Sequence, residues 1–175
     1  MDPAPTTDRT EGSVPSGLTL LLGGARSGKS TLAVEIGRRH DGPVVVVATT
    51  EPFDEDLRTR IERHQAERPD WPTVEEPLEV APVLDQIDPD ALVILDCLTV
   101  WVGNLLHHGR SDGAVDRMND AVVAAARRRR GPTVVVSNEV GLGVVPSTDL
   151  GRQYRDVLGR VNQRWAAAAD RTLLL

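Results

Sequence analysis

The sequence predicts an α/β domain with a mostly parallel sheet flanked by helices, and three observations carry that prediction. Short apolar, β-branched runs alternate along the chain with segments of helical periodicity. The runs are nearly continuous in apolar character, as strands buried on both faces require. With 175 residues, of which 40% are apolar and 26% charged, the chain fits one globular domain rather than a disordered polymer.

Residues 1–17, rich in Pro, Thr, Ser, Gly and acid, read as a disordered arm, which leaves 18–175 as a single domain. Strands are expected at 18–22, 44–49, 91–95, 133–137 and 172–175. Helices are expected at 29–40, 54–68, 81–87, 98–108, 114–130 and 150–169. In the last of these, Leu150, Tyr154, Val157, Leu158, Val161 and Trp165 recur at helical spacing and form one apolar face. The run Arg127 to Arg130 reads as a solvated helix C-terminus favoured by the helix dipole rather than a nucleic-acid patch. His40, His107 and His108 sit near expected helix ends and read as surface residues for the same reason. No internal repeat is present.

Composition removes several classes of function. A formal net charge of −6 and a pI near 5.2 argue against nucleic acid as the main partner. No apolar run approaches the ~20 residues of a membrane span. The first residues lack the basic start and apolar stretch of a signal peptide, so cytoplasmic residence is expected. Cys97 is the only cysteine, which leaves no internal disulfide and no cysteine-built metal site. Of the 20 basic residues, 19 are Arg and one is Lys29. A guanine-reading Asn-Lys-x-Asp loop is therefore impossible, as is a second, nucleophilic lysine.

That lone lysine lies in Gly23-Gly24-Ala25-Arg26-Ser27-Gly28-Lys29-Ser30, which fits G-x-x-x-x-G-K-[ST] between an expected strand and an expected helix. Glycines let backbone N–H groups turn inward around phosphate oxygens, and the helix N-terminus adds partial positive charge. In such a loop Lys29 bridges the β- and γ-phosphates and Ser30 ligates Mg²⁺. The chain is thus expected to be a P-loop nucleotide-binding protein. The apolar run 91–95 ends in Asp96, which delivers a carboxylate to the sheet edge where the phosphate loop opens, suited to holding Mg²⁺ directly or through water.

A third region is less decisive on its own pattern. Asp54 suits an N-cap, and the helix it opens sets Leu57, Ile61, His64 and Arg68 on one face. His64 has Arg60 and Arg68 one turn away on either side, a setting for an anion, yet it also continues the apolar stripe as a packed histidine would. Glu139, in the glycine-containing loop 138–148 after a strand, suits either a metal- or hydroxyl-binding role or a loop-stabilising one. Gly141 and Gly143 in that loop permit close approach of a ligand or a neighbouring subunit. Cys97 follows Asp96 at a strand end and reads as packing.

Several blocks appear in a fixed order: the phosphate loop; Ala48-Thr49; Arg60-Ile61 with His64; Arg68-Pro69; and Trp71-Pro72-Thr73-Val74-Glu75. They are followed by Asn138-Glu139-Val140-Gly141-Leu142-Gly143-Val144-Val145-Pro146, then Arg155-Asp156, Gly159-Arg160 and Asn162-Gln163. Together they resemble the bifunctional adenosylcobinamide kinase / adenosylcobinamide-phosphate guanylyltransferase family of cobalamin biosynthesis, over roughly residues 18–175. The resemblance implies a RecA-like fold, a homotrimer and two reactions. In the first, ATP or GTP phosphorylates the aminopropanol hydroxyl of adenosylcobinamide. In the second, GTP guanylylates a histidine, which hands GMP to the corrinoid phosphate. It implies that the histidine is His64. It further implies nucleotide contacts at Gly23, Gly24, Ala25, Arg26, Ser27, Gly28, Lys29, Ser30, Ala48, Thr49, Thr50, Gln65, Ala66, Glu67, Arg68, Glu75 and Asp96. The arm before Leu18 has no counterpart in the family pattern, and Leu175 falls where that pattern continues into a Val-x-Gly-x-Pro-like tail.

Two other readings compete with the two-step enzyme. One is a small-molecule P-loop kinase without a covalent step, in which His64 is structural. The other is a nucleotide switch with slow hydrolysis, against which the missing Asn-Lys-x-Asp loop weighs.

Overall fold

The computed structural model describes residues 17–51 and 69–175. The expected helix 54–68, with Arg60, His64, Gln65, Ala66, Glu67 and Arg68, lies outside the described residues, as does most of the expected arm.

The chain runs β1 (Leu18–Leu22), α1 (Lys29–Arg38), β2 (Val44–Ala48), β3 (Thr73–Glu75), α2 (Val80–Gln86), β4 (Leu92–Asp96), α3 (Leu98–His107), α4 (Asp112–Arg128), β5 (Thr133–Val136), α5 (Asp149–Ala168) and β6 (Arg171–Leu174). The six strands form one sheet in the order β3-β2-β4-β5-β1-β6, and every pairing is parallel. Each parallel neighbour needs a crossover, so helices cover both faces, and this is why the central strands are nearly continuous in apolar character.

Alternation within those strands feeds two cores. Leu18, Leu20, Val47, Val93, Leu95 and Val135 pack with α2 to α5, around the fully buried Trp101 and Trp165. Leu21, Val44, Val46, Leu92, Ile94, Val134 and Val136 pack on the other face with Ala33 and Ile36 of α1. The indole of Trp71 closes over α1, where a side chain at Gly37 would lie 2.5 Å from the ring. Among the described residues no helix is long and apolar enough to cross a membrane.

The structure corrects several expectations. It adds β3, which the sequence pattern does not reveal, because three residues on an edge give no readable period. β6 is an edge strand with mostly exposed side chains, not one buried on both faces. Leu150 is 65% exposed and stands off the apolar face of α5, since it lies in the first turn, before the helix meets the sheet. His40 is half-buried rather than a free surface residue, and Gly42 lets its ring fold inward. Arg127 to Arg130 are not merely solvated. Arg129 turns its guanidinium onto the carbonyls of Leu84, Ile87, Asp88 and Ala91, a pattern set by tertiary folding alone.

Candidate active site

The sheet register assembles the site. Glu75, Ala48, Asp96, Val136 and Leu21 are successive partners across five strands, so β3, β2, β4, β5 and β1 all end on one line. In parallel sheets this carboxyl edge is where ligands bind, because the loops there are free to vary while the strands fix their roots.

The phosphate loop leaves β1 on that line. Gly28 caps α1 in the left-handed region with φ 96°, which a side chain would strain. A side chain at Gly23 would come within 2.7 Å of Ser27 Oγ. Arg26 also holds a positive φ of 60°, an uncommon conformation for a residue with a side chain. Gly24, Ala25 and Arg26 form the exposed crest of the loop.

Lys29 opens α1 and is only 6% exposed. Its ammonium curls into the loop and donates to Gly23 O (3.0 Å), Gly24 O and Ser27 Oγ (3.2 Å). Burial pulls its pKa below the ordinary lysine value, and the charge of Asp96 opposes that shift. Ser30 Oγ lies 3.5 Å from Asp96 Oδ2. A hydroxyl and a carboxylate at that spacing, beside a phosphate loop, are the hard oxygen donors that suit Mg²⁺. Among the described residues no cluster of three or more His, Cys, Asp or Glu side chains could hold a metal by itself. Any ion here would depend on phosphate oxygens and water as well.

The expected contacts on β2 divide by role. Ala48 sits in register with Asp96. Thr49 is fully buried, and its hydroxyl accepts from Cys97 N (2.9 Å) and donates to Cys97 O (2.8 Å). That clamp ties the ends of β2 and β4 together. Thr50 is half-buried, and Glu75 stands exposed at the end of β3. The Cys97 thiol is pushed up to about 12, by burial first and by Asp96 second, so it stays protonated and inert near neutral pH. Glu139 N donates to Gly23 O (3.0 Å), while its carboxylate accepts from Gly141 N. That carboxylate contact is a loop-stabilising one.

Sequence reasoning does not find the polar braces beneath this edge. Asn104 of α3 donates to Thr49 O (2.7 Å) and Pro77 O (3.2 Å), fixing the ends of β2 and the segment after β3. Asn162 of α5 accepts from Ser137 Oγ (2.6 Å) and donates to Asn138 O (3.0 Å). Both asparagines are at most 5% exposed. The signal that could have found them is a single amide set among apolar neighbours, as in Trp101-Val102-Gly103-Asn104-Leu105-Leu106, since a buried amide needs partners. His108 is more than a residue favoured by a helix dipole, for its Nε2 lies 3.0 Å from Glu51 Oε2 at the exit of β2.

Comparison with known proteins places this arrangement. Among solved structures, the flagellar accessory protein FlaH of Methanocaldococcus jannaschii superposes with a TM-score of 0.53 at 12% identity, covering 91% of this chain and 71% of that one. A prototypical ATPase from the type III secretion system of pathogenic bacteria gives 0.55 at 12% identity, covering 91% and 52%. At such identities the likeness concerns the fold, which is RecA-like. The bifunctional adenosylcobalamin biosynthesis protein CobU of Escherichia coli is 37% identical over 172 residues, covering 90% of this chain and 94% of its own. The CobP protein of Pseudomonas aeruginosa is 39% identical over 157 residues, covering 87% and 88%. The family model described as cobinamide kinase / cobinamide phosphate guanyltransferase matches residues 19–175, so the chain belongs to that family of enzymes.

Proposed function

We propose that this chain phosphorylates adenosylcobinamide with ATP or GTP and then transfers GMP from GTP to the product through a covalent GMP adduct on His64, giving adenosylcobinamide-GDP. The observation that carries the reading is the convergence of Lys29, Ser30 and Asp96 at one sheet edge in a chain of this family.

In the kinase step Lys29 exchanges its contacts with the loop carbonyls for β- and γ-phosphate oxygens, and backbone N–H groups of the loop hold the remaining phosphate oxygens. Ser30 and Asp96 would hold Mg²⁺, which when bound neutralises charge on the phosphates. No protein nucleophile is needed to pass a γ-phosphoryl group to a hydroxyl. The guanylyl step does need one. A neutral imidazole on His64 attacks the α-phosphorus, an N–P bond forms and pyrophosphate leaves. A phosphate oxygen of the corrinoid then displaces the imidazole. Lys29 is committed to phosphates, and Cys97 is held as a thiol. Arg60 and Arg68 would flank the ring one helical turn away, with Gln65, Ala66, Glu67 and Arg68 lining the nucleotide. Glu75, Ala48 and Thr50 stand at the same edge for the remainder of the nucleotide. Both reactions are assigned to residues 18–175, in a cytoplasmic homotrimer, with no contribution from the arm.

The test is His64→Ala assayed with α-labelled GTP on a denaturing gel, beside a kinase assay on the same preparation. The variant is expected to phosphorylate adenosylcobinamide and to capture no label. Label retained on the variant would place the nucleophile elsewhere. Equal loss of the kinase reaction would make His64 a shared structural residue, and a kinase without a covalent step would then be the better reading.

A further inference from the structure

Asn138 has no role in the reactions described so far, yet the sheet carries it to the middle of the site. β5 runs between β1, which leads into the phosphate loop, and β4, which ends in Asp96. Beyond Val136 the chain stays extended along β1. Ser137 N donates to Leu21 O (2.9 Å), and Glu139 N donates to Gly23 O (3.0 Å). Side chains alternate between faces on extended backbone. Val134 and Val136 pack on the α1 face, and Ser137 points the other way, to Asn162 of α5. Asn138 therefore falls on the α1 face. Leu92 and Ile94 likewise pack on that face, which puts Asp96 there too, and Asp96 reaches Ser30 in the first turn of α1.

The backbone of Asn138 is braced from both covering helices. Its N–H donates to Thr99 Oγ1 (2.7 Å), and its carbonyl accepts from Asn162 Nδ2 (3.0 Å). Thr99 is held in turn by Tyr154, whose hydroxyl donates to Thr99 O (3.1 Å). Among the described residues the Asn138 carboxamide makes no hydrogen bond of its own. The neighbouring acid is turned away, because Glu139 falls on the opposite face and its carboxylate accepts from Gly141 N. At this strand end the α1 face therefore carries a half-buried neutral donor on a braced backbone.

We propose that Asn138 is a catalytic residue of the phosphoryl transfer: its amide N–H donates to an oxygen of the terminal phosphate, complementing Lys29 as negative charge spreads over that group. A fixed donor aimed where charge develops acts without reorganisation, and a neutral one adds no repulsion beside Asp96. This inference rests on the proposed function, in that it assumes the loop serves transfer from a triphosphate.

Asn138→Ala and Asn138→Asp in the full chain test it, with GTP and GDP affinities measured by calorimetry, steady-state kinase rates and melting temperatures. For Asn138→Ala the kinase kcat is expected to fall roughly 10²-fold, the size found for removal of one preorganised donor. GTP affinity should weaken while GDP affinity holds, and Asn138→Asp should lose more GTP affinity, because a carboxylate repels the terminal phosphate. Equal weakening of GTP and GDP, unchanged kinase turnover, or rates that merely follow a lowered melting temperature would each overturn the inference. The two failures are separable. A wild-type chain that does not phosphorylate adenosylcobinamide, with Asn138 variants that still lose discrimination between GTP and GDP, would sink the proposed function and leave Asn138 as a terminal-phosphate ligand.

Discussion

The two edges of the sheet are built on opposite terms. At the amino edge, where strands begin, polar groups answer one another. Asp170 accepts from Leu18 N (2.8 Å) and from Arg127 (2.9 Å). Arg128 meets Asp85 at 2.9 Å, and Arg130 meets Asp90 at 2.7 Å. Arg129 spans four carbonyls, two of them at 2.8 Å. Gly131 lets the backbone pass so close that a side chain there would sit 2.4 Å from Asp90 O. At the carboxyl edge buried amides and Thr49 fix the strand ends, and the charged groups around the phosphate loop are held differently. Lys29 turns back on its own loop, and Ser30 stands 3.5 Å from Asp96, longer than a good hydroxyl–carboxylate bond. Leu142 and Val144 are 85% and 95% exposed on the loop above. One edge closes the fold, and the other keeps its charged groups in arrangements a ligand can replace.

The contrast is broken most severely by Lys29→Ala. Loss of the charge-assisted phosphate contact should lower both transfer rates by about 10³-fold or more, while melting temperature moves by less than about 3 °C. Kinase and guanylyl assays beside calorimetry decide it. Near-normal guanylyl transfer in a folded variant would show that the two reactions use separate phosphate sites.

Asp96→Asn should come next. It leaves the strand intact but weakens the donor set, so the Mg²⁺ concentration for half-maximal rate should rise about tenfold or more, and chelation should silence both proteins. Titration of Mg²⁺ against rate measures this, and an unchanged midpoint would remove Asp96 from the metal site.

The amino edge should respond in the opposite sense. Arg129→Ala strips a charged donor from four backbone carbonyls, at a cost of about 2–3 kcal/mol of stability, with the rate per folded molecule unchanged. Urea unfolding beside the kinase assay reads both quantities. A variant that loses turnover with no loss of stability would erase the division between the edges.

The smallest effect is electrostatic. The carboxyl of Asp170 is held below the ordinary range by the Leu18 N–H and by Arg127, that of Asp112 by Gln153 and Arg160, and that of Asp90 by Arg130. A depressed folded-state pKa adds stability that is present above the unfolded value near 4 and is lost as pH falls through the lower folded values. Melting temperature should therefore hold from about pH 7 to 5 and decline below about pH 4. Asp170→Asn should flatten part of that decline, and an unaltered acid limb would show that these exposed groups are too screened to matter.

The legibility of the two edges differs for a physical reason. The phosphate loop is readable in sequence because Gly28, Lys29 and Ser30 act through contiguous backbone. Asp96 is readable because an apolar strand ends on it. The amino edge is not, since Arg129 finds carbonyls some 40 residues away along the chain, and nothing local separates it from the exposed Arg128 and Arg130. Leu150 shows the converse error, a helical period extended one turn beyond the surface it packs on.

By itself, then, the sequence determined the parallel α/β architecture, the phosphate loop and the acid that faces it. Each depends on local pattern: period, glycine placement and the type of residue at a strand end. Only the tertiary structure decided that β5 separates β1 from β4, that Thr49 clamps Cys97, and that Asn138 rather than Glu139 continues the alternation of Val134 and Val136 beyond β5. These follow from strand order and register, which are set by how whole faces bury against one another and not by any neighbour in the chain.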